Sequence, residues 1–157
     1  MEFLVDTNIL LRFVEPKHPM HDAAVGATSA LLAAGEAVHV LPQNISEFWN
    51  VCTRPIEKNG LGFTPAQTDA EVSRLESLLT VLPDNARIYP EWRRLVVKHA
   101  ISGVQVHDAR IVAAMTAHGI THLVTFNVKD FRRYQNIAIM TPDEVTQSYS
   151  QAPSEEE

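Results

Sequence analysis

Residues 3–8 read FLVDTN, in which three apolar side chains run directly into an aspartate, a threonine and an asparagine. A short, wholly apolar run is typical of a strand buried on both faces, as the central strands of parallel sheets are. We expect Asp6 to lie at the carboxyl end of this strand, where open α/β sheets bind ligands. Thr7 and Asn8 are expected to cap the helix that follows. A carboxylate buried there needs a hydrogen bond, a proton or a cation, so Asp6 is a candidate functional residue.

Short apolar strands alternate with helical patterns along the rest of the chain. The later strands are expected at residues 38–41, 80–82, 121–126 and 137–140, and the main helices at residues 21–34, 43–54, 64–79, 89–99 and 108–118. This alternation predicts a parallel sheet with helices on both faces and right-handed crossovers. No repeat or linker interrupts it. We expect one domain over residues 1–146, followed by an acidic, flexible tail over residues 147–157.

Composition narrows the class of protein. The chain has 157 residues, of which 45% are hydrophobic and 20% charged, as in an ordinary globular domain. A net charge of −6 argues against binding nucleic acid mainly through a large positive field, although it is compatible with a nuclease that uses clustered acids. The single cysteine, Cys52, excludes an internal disulfide and a cysteine zinc site. With no secretory leader or bilayer-length apolar run in view, we expect a cytoplasmic protein without membrane association.

Four acidic residues are expected at the carboxyl edge of the sheet, the edge where the parallel strands end. Asp6 ends the first strand, Glu47 lies in the helix after the second strand, Asp108 begins a helix, and Asp130 follows the strand at residues 121–126. Mg²⁺ prefers oxygen ligands and commonly binds one or two carboxylates together with water and substrate phosphate. A metal ion held there can generate hydroxide and stabilise the charge that develops on a phosphodiester. The pattern therefore indicates metal-assisted phosphodiester hydrolysis.

Each acid also has an ordinary structural explanation. Asp6 fits a capped turn, and Glu47 fits a capping box with Asn44 or a solvated helix position. Asp108 fits a plain N-cap and Asp130 a surface charge in a loop. These explanations stay open for each residue taken alone. Only the presence of all four acids at one edge of the sheet would favour a catalytic role over them.

Four motifs taken together resemble a known family. They are VDTN at residues 5–8, SEF at residues 46–48, HDA at residues 107–109 and TFNVKDF at residues 125–131. This ordered set resembles the PIN domain, specifically the VapC-like toxin ribonucleases, from residue 3 to about residue 145. The resemblance implies a three-layer α/β/α sandwich with a central parallel sheet of about five strands in the order 3-2-1-4-5. It also implies a Mg²⁺- or Mn²⁺-dependent endoribonuclease.

The resemblance also assigns roles to individual residues. Asp6, Glu47 and Asp108 correspond to the regular acids of the family and are implied to be catalytic and to bind the metal ion. The fourth position is left open, because some relatives have an acid where this chain has Asn127 and others use the acid at Asp130. The resemblance also implies residues that support the acids, namely Thr7, Asn8, Thr125 and Asn127.

Basic and aromatic residues give weaker indications about the substrate. Arg12, Arg110 and Lys129 are candidates for contacts with RNA phosphates, and ordinary surface ion pairs explain them equally well. Tyr89 and Trp92 lie on a helical stripe and are expected in the core rather than stacked on bases. The resemblance further implies a toxin that forms a homodimer and is held inactive by a cognate antitoxin.

Two other functions remain to be compared with the nuclease. One is a catalytically inactive PIN-like binding module. The other is a receiver-like regulatory module in which Asp6 accepts a phosphoryl group. Receivers carry paired acids before the first strand and a lysine near the last strand, whereas here Glu2 stands alone and Lys129 is followed by Asp130.

Overall fold

The structure, a computed structural model, describes residues 1–150. Five short strands form its sheet, namely β1 (Glu2–Val5), β2 (Ala37–Val40), β3 (Thr80–Val81), β4 (His122–Val124) and β5 (Ala138–Met140). All four strand pairs are parallel, and the order is β3-β2-β1-β4-β5. The predicted fold class and strand order are therefore confirmed. The order also excludes a receiver-like module, whose sheet follows the order 2-1-3-4-5.

Seven α-helices connect and cover the strands in the described part of the chain. They are α1 (Thr7–Phe13), α2 (His21–Ala33), α3 (Pro42–Thr53), α4 (Pro65–Leu78), α5 (Ile88–Lys98), α6 (Gln105–His118) and α7 (Pro142–Ser150). Two short 3₁₀ helices lie at Ile56–Lys58 and Val128–Phe131. Among residues 1–150, no helix is both long and apolar enough to cross a membrane.

The central strand β1 contributes side chains to both hydrophobic layers. Phe3 and Val5 pack in the layer formed with α1 to α4 and α7, and Leu4 packs in the layer formed with α5 and α6. All three side chains are at most 1% exposed. The wholly apolar sequence of this strand is thus explained by burial on both faces.

The register of the central strands positions the carboxyl edge. Val5 pairs with Val124, and the backbone N–H of Asp6 donates to the Val124 carbonyl at 3.0 Å. Asp6 and Thr125 therefore leave neighbouring strands at the same level. Residues 119 apart in the chain are brought side by side by strand pairing alone.

Two helix ends follow the local sequence signals closely. The Thr64 hydroxyl accepts from the Gln67 N–H at 3.1 Å, and the Gln67 side chain accepts from the Thr64 N–H at 2.8 Å, which completes the predicted capping box before α4. Gly119 ends α6 with a φ of 71°, a left-handed conformation that favours glycine. Local chemistry is sufficient to set these two boundaries.

The expected boundaries near Asp6 and Asp108 are wrong. β1 ends at Val5, and Asp6 itself caps α1, since its Oδ1 accepts from the Thr7 N–H at 2.8 Å. Thr7 is consequently the first helical residue rather than a cap. α6 begins at Gln105, so Asp108 lies within the first turn and is not the N-cap. The earlier start follows from Gly103, whose φ of 67° turns the chain directly before the helix.

The expected boundary between domain and tail at residue 147 falls inside α7. Tyr149 of this helix packs edge-on against Phe3, with ring centroids 6.3 Å apart, so the helix continues to Ser150. The remainder of the expected tail, residues 151–157, lies outside the described residues.

Candidate active site

Asp6 is held at the carboxyl end of β1 by two hydrogen bonds. Its Oδ1 accepts from the Thr7 N–H at 2.8 Å and its Oδ2 accepts from the Thr125 hydroxyl at 2.8 Å. The side chain is buried, and this burial raises its pKa to about 6 although both hydrogen bonds act to lower it. The negative charges of Glu47 and Asp130 raise the pKa further. A carboxylate in this environment is stabilised by any nearby cation.

Glu47 reaches the site from α3. Its Oε2 accepts from the Thr7 hydroxyl at 2.7 Å, and its Oε1 accepts from the Gln43 amide at 2.9 Å. The Thr7 hydroxyl in turn accepts from the Asn44 amide at 3.1 Å. The alternative capping box between Glu47 and Asn44 is wrong. The side-chain oxygen Oδ1 of Asn44 instead accepts from the Leu41 N–H at the start of α3. Both oxygens of Glu47 are therefore fixed in direction.

Asp108 faces the other acids from the first turn of α6. Burial raises its pKa to about 7, and the charges of Asp6, Asp130 and Glu47 raise it further, while Arg133 opposes the shift. Charges influence one another strongly only at short range, so the four acids share one region of the molecule. Within residues 1–150, no hydrogen bond to the Asp108 carboxylate is formed. Asp6 and Glu47, by contrast, each accept two hydrogen bonds.

The Thr125 hydroxyl connects the remaining predicted residues. It donates to Asp6 and accepts from the Asn8 amide at 3.1 Å and from the Asn127 N–H at 3.0 Å. The Asn8 carbonyl oxygen accepts from a backbone N–H just after β4, which ties α1 to that strand. Asn127 and Asp130 are both exposed at the same edge. The choice between them for the fourth position stays a prediction.

Gln43 was not predicted, yet it connects two site elements. Its amide nitrogen donates both to Glu47 and to the His107 carbonyl, the latter at 2.8 Å. Its Oε1 accepts from Arg110 at 3.1 Å. The side chain therefore joins α3 to the start of α6, next to Asp108. Its position four residues before Glu47 on one helix face was the signal available in the sequence.

The three candidate RNA contacts are distributed unevenly. Arg12 pairs with Glu15 in the last turn of α1, at the opposite end of that helix from Asp6. Arg110 pairs with Asp84 at 3.3 Å and borders the site through Gln43. Lys129 is exposed beside Asp130. Arg110 and Lys129 are thus near the acids, and Arg12 is not.

The donor set fits a hard divalent cation with few protein ligands. Among residues 1–150, no three His, Cys, Asp or Glu side chains are arranged to hold a metal ion by themselves. Mg²⁺ usually needs only one or two carboxylates and keeps several waters. Asp6 and Asp108 supply oxygen donors whose pKa values are raised first by burial and then by the negative charges of the neighbouring acids. These residues fit Mg²⁺ or Mn²⁺ better than a metal enclosed entirely by protein ligands.

Comparison with known proteins agrees with this architecture. Ribonuclease VapC48 of Mycobacterium tuberculosis is 27% identical over 143 residues, which cover 87% of this chain and 94% of that protein. The structure of VapBC2 from Rickettsia felis, bound to a DNA fragment from its promoter, gives a TM-score of 0.66 at 21% identity and covers 90% of this chain and 98% of that chain. DNA-bound VapBC from Salmonella typhimurium gives a TM-score of 0.65 at 18% identity with the same coverage. These structures share the fold.

The family model described as the PIN domain matches residues 3–137. The match includes all four motifs on which the resemblance was based. It also includes β2, β3, β4 and all of β1 except its first residue. The chain therefore belongs to the PIN domain family.

Proposed function

We propose that this chain is an endoribonuclease that hydrolyses RNA phosphodiester bonds with a divalent metal ion, as the toxin of a toxin–antitoxin pair. The observation that carries the proposal is the buried Asp6, oriented by Thr7 and Thr125, with Glu47 and Asp108 acting on the same region. A structural cap at Asp6 does not explain why three further acids lie in the same region, whereas a divalent metal ion bound there offsets the repulsion among them.

The residues would divide the work as follows. Asp6 and Asp108 would hold Mg²⁺ or Mn²⁺, with Glu47 contributing charge and Asp130 or Asn127 completing the exposed side. The bound ion supplies hydroxide from water and neutralises charge on the phosphodiester. Thr7 and Thr125 leave one lone-pair direction on each oxygen of Asp6, so capping and metal binding are compatible. At neutral pH, Asp108 would release its proton as the cation binds, because its pKa is about 7.

The relatives support the substrate and the partner. The curated relative is named a ribonuclease, and the solved structures are VapBC complexes bound to DNA. By similarity, we infer RNA as the substrate and a cognate antitoxin as partner, while a homodimer and a cytoplasmic location stay predictions from the sequence. An inactive PIN-like binding module is the second candidate.

Cleavage of a labelled RNA distinguishes these candidates. Wild type is expected to cleave in Mg²⁺ or Mn²⁺ and to stop in chelator. Asp6→Asn and Asp108→Asn are expected to lower the rate by about 100-fold or more, since each removes charge stabilisation of several kcal/mol. Asp69→Asn, at an exposed position of α4, is the matched control and should retain the wild-type rate. Circular dichroism checks that all variants are folded.

Two results would contradict the proposal. Cleavage that persists undiminished in chelator would remove the role of the metal ion. Undiminished cleavage by either Asp6→Asn or Asp108→Asn would remove the roles assigned to these acids, and folded wild type that never cleaves would favour the inactive module.

A further inference from the structure

Two adjoining cavities extend from the candidate active site along the surface. The first has a volume of about 570 Å³ and is lined by residues that include Glu47, Gln43 and Asp84. The second has a volume of about 440 Å³ and is lined by residues that include Tyr89 and Trp92. His107 and Arg110 line both cavities, so the two form one groove, which we call the Glu47–Tyr89 groove.

The far end of the Glu47–Tyr89 groove carries an exposed aromatic ring. Tyr89 is 65% exposed, so the expectation that it lies in the core is wrong. It begins the first turn of α5, whose apolar stripe instead buries Ile88 and Leu95. Trp92 lies beside it with ring centroids 6.2 Å apart and is fixed by an N–H bond to the Val106 carbonyl at 2.8 Å. A large ring is thus presented to solvent on a rigid support.

The middle of the Glu47–Tyr89 groove contains one guanidinium, that of Arg110, which pairs with the Asp84 carboxylate of the same groove. Arg110 is held by Asp84 at 3.3 Å and by the Gln43 side chain at 3.1 Å, which places its guanidinium between the two cavities. His107 is exposed at the same point. Aromatic rings that stack with bases, combined with cations that follow the backbone, are the shared chemistry of sites for single-stranded nucleic acid. Each cavity also falls in the range of volumes, roughly 300–1,000 Å³, that hold a small ligand or part of one.

We propose that the Glu47–Tyr89 groove binds single-stranded RNA beside the bond to be cleaved, with a base stacked on Tyr89 and a neighbouring phosphate at Arg110. This inference rests on the proposed function, because the near end of the groove is Glu47 itself. Continuity with the acids distinguishes the groove from an isolated apolar patch. The charge of Arg110 matches a phosphate, and the repulsion between RNA and the acids at the near end is reduced by a bound metal ion or by Asp108→Asn.

Equilibrium binding of a short RNA that carries 2-aminopurine tests this inference. All proteins carry Asp108→Asn, so that the RNA stays intact, and stacking is detected as quenching of the base fluorescence. Tyr89→Leu is expected to weaken binding by about tenfold and to abolish the quenching, since one base loses its aromatic partner. Tyr89→Phe keeps the ring and should restore both. The exposure of Tyr89 makes all of these variants compatible with folding.

The charge is tested by a second pair of variants. Arg110→Gln is expected to weaken binding and to reduce the slope of log affinity against log salt by about one. Arg74→Gln is the matched control, because it also removes an exposed cation and its ion pair, here with Glu71 on α4. This variant should leave the affinity and the slope unchanged.

The outcomes separate this inference from the proposed function. Equal binding and quenching by Tyr89→Leu and its parent would overturn the inference, even where the wild type cleaves RNA. Absence of any RNA binding would also overturn it. If Tyr89→Leu instead changes the sedimentation of the protein and leaves RNA binding intact, the groove is an interface between two copies of this chain, and the inference is overturned. Binding that depends on Tyr89 in a wild type that does not cleave supports the inference and refutes the proposed function.

Discussion

Asp6 both caps α1 and serves as an oriented acid of the candidate site, whereas the sequence suggested that Thr7 and Asn8 cap this helix. Its Oδ1 caps α1, and its Oδ2 is fixed by Thr125, so the carboxylate is rigid before any ligand arrives. Asp108 differs, because it is half-buried among like charges and lacks comparable support within the described residues. At the scale of single residues, the site therefore combines an oriented acid with an acid that is strained electrostatically.

The electrostatic strain on Asp108 predicts a dependence of stability on pH in the absence of divalent ions. The carboxyl group ionises at 3.8 in its ordinary state and at about 7 in the folded protein. Between these values the folded state binds the extra proton, so the free energy of unfolding falls as pH rises through this range. Asp108→Asn removes this loss. Its melting temperature in chelator should match wild type near pH 4 and exceed it increasingly up to pH 7.5.

Thermal unfolding at several pH values measures the difference. Asp6 titrates in both proteins and interacts with Asp108, so the difference between the two curves reports the ionisation of Asp108 together with its coupling to Asp6. A difference that is constant across this range, or that shrinks as pH rises, would show that the folded protein does not raise the pKa of Asp108.

At the scale of elements, the site depends on how α3 is connected to α6. Glu47 belongs to α3 and Asp108 to α6, and Gln43 bridges them through its bonds to Glu47 and to the His107 carbonyl. The capping of α3 by Asn44 and the bond from Asn44 to Thr7 fix the same helix relative to α1. Three helices are thus positioned by two adjacent amide side chains.

Removal of the Gln43 bridge should affect cleavage more than stability. Gln43→Leu leaves the acids in place and frees Glu47 to change its orientation, so we expect the cleavage rate to fall by about 10- to 100-fold, as for other residues that orient ligands. Gln67→Leu, which removes a capping glutamine from α4, is the control and should lower stability by about 1 kcal/mol without changing the rate. Steady-state kinetics and denaturant unfolding provide the two measurements. Equal rates for wild type and Gln43→Leu would refute the positioning role.

At the scale of the whole molecule, the order of the strands determines which side chains meet. β1 lies between β2 and β4, so residues that follow these strands arrive at one edge, where α3, after β2, brings Glu47 and the start of α6, before β4, brings Asp108. The result is a concentration of negative charge in a chain that already carries a net charge of −6. A bound cation should relieve this repulsion and stabilise the entire domain.

Addition of Mn²⁺ is therefore expected to raise the melting temperature of the wild type. At 100 times the dissociation constant the stabilisation is about 2.7 kcal/mol, which corresponds to roughly 5–10 °C for a domain of this size. Asp69→Asn should respond as wild type does, whereas Asp6→Asn should show little response. A melting temperature that is independent of Mn²⁺ in the wild type, or equally dependent in Asp6→Asn, would contradict a metal site at Asp6.

The sequence by itself determined the class of fold and the supply of acids. The apolar run before Asp6, the alternation of strands with helices and the capping box at Thr64 each follow from short-range chemistry, and all three were confirmed. The helix boundaries near Asp6 and Asp108 were less predictable, because several polar residues in succession can serve as caps. Asp6 is the cap rather than Thr7 or Asn8 because β1 ends at Val5, which brings the Asp6 Oδ1 to the Thr7 N–H at the start of α1.

Only the tertiary structure decided how distant side chains act on one another. Gln43 joins α3 to α6, Thr125 orients Asp6 across strands, and Tyr89 is turned towards solvent. Sequence periodicity fixes which residues share a helix face, but it does not specify which neighbouring element covers that face. Strand order and helix packing supply this information, since they bring together groups that are far apart in the chain and remove them from water together.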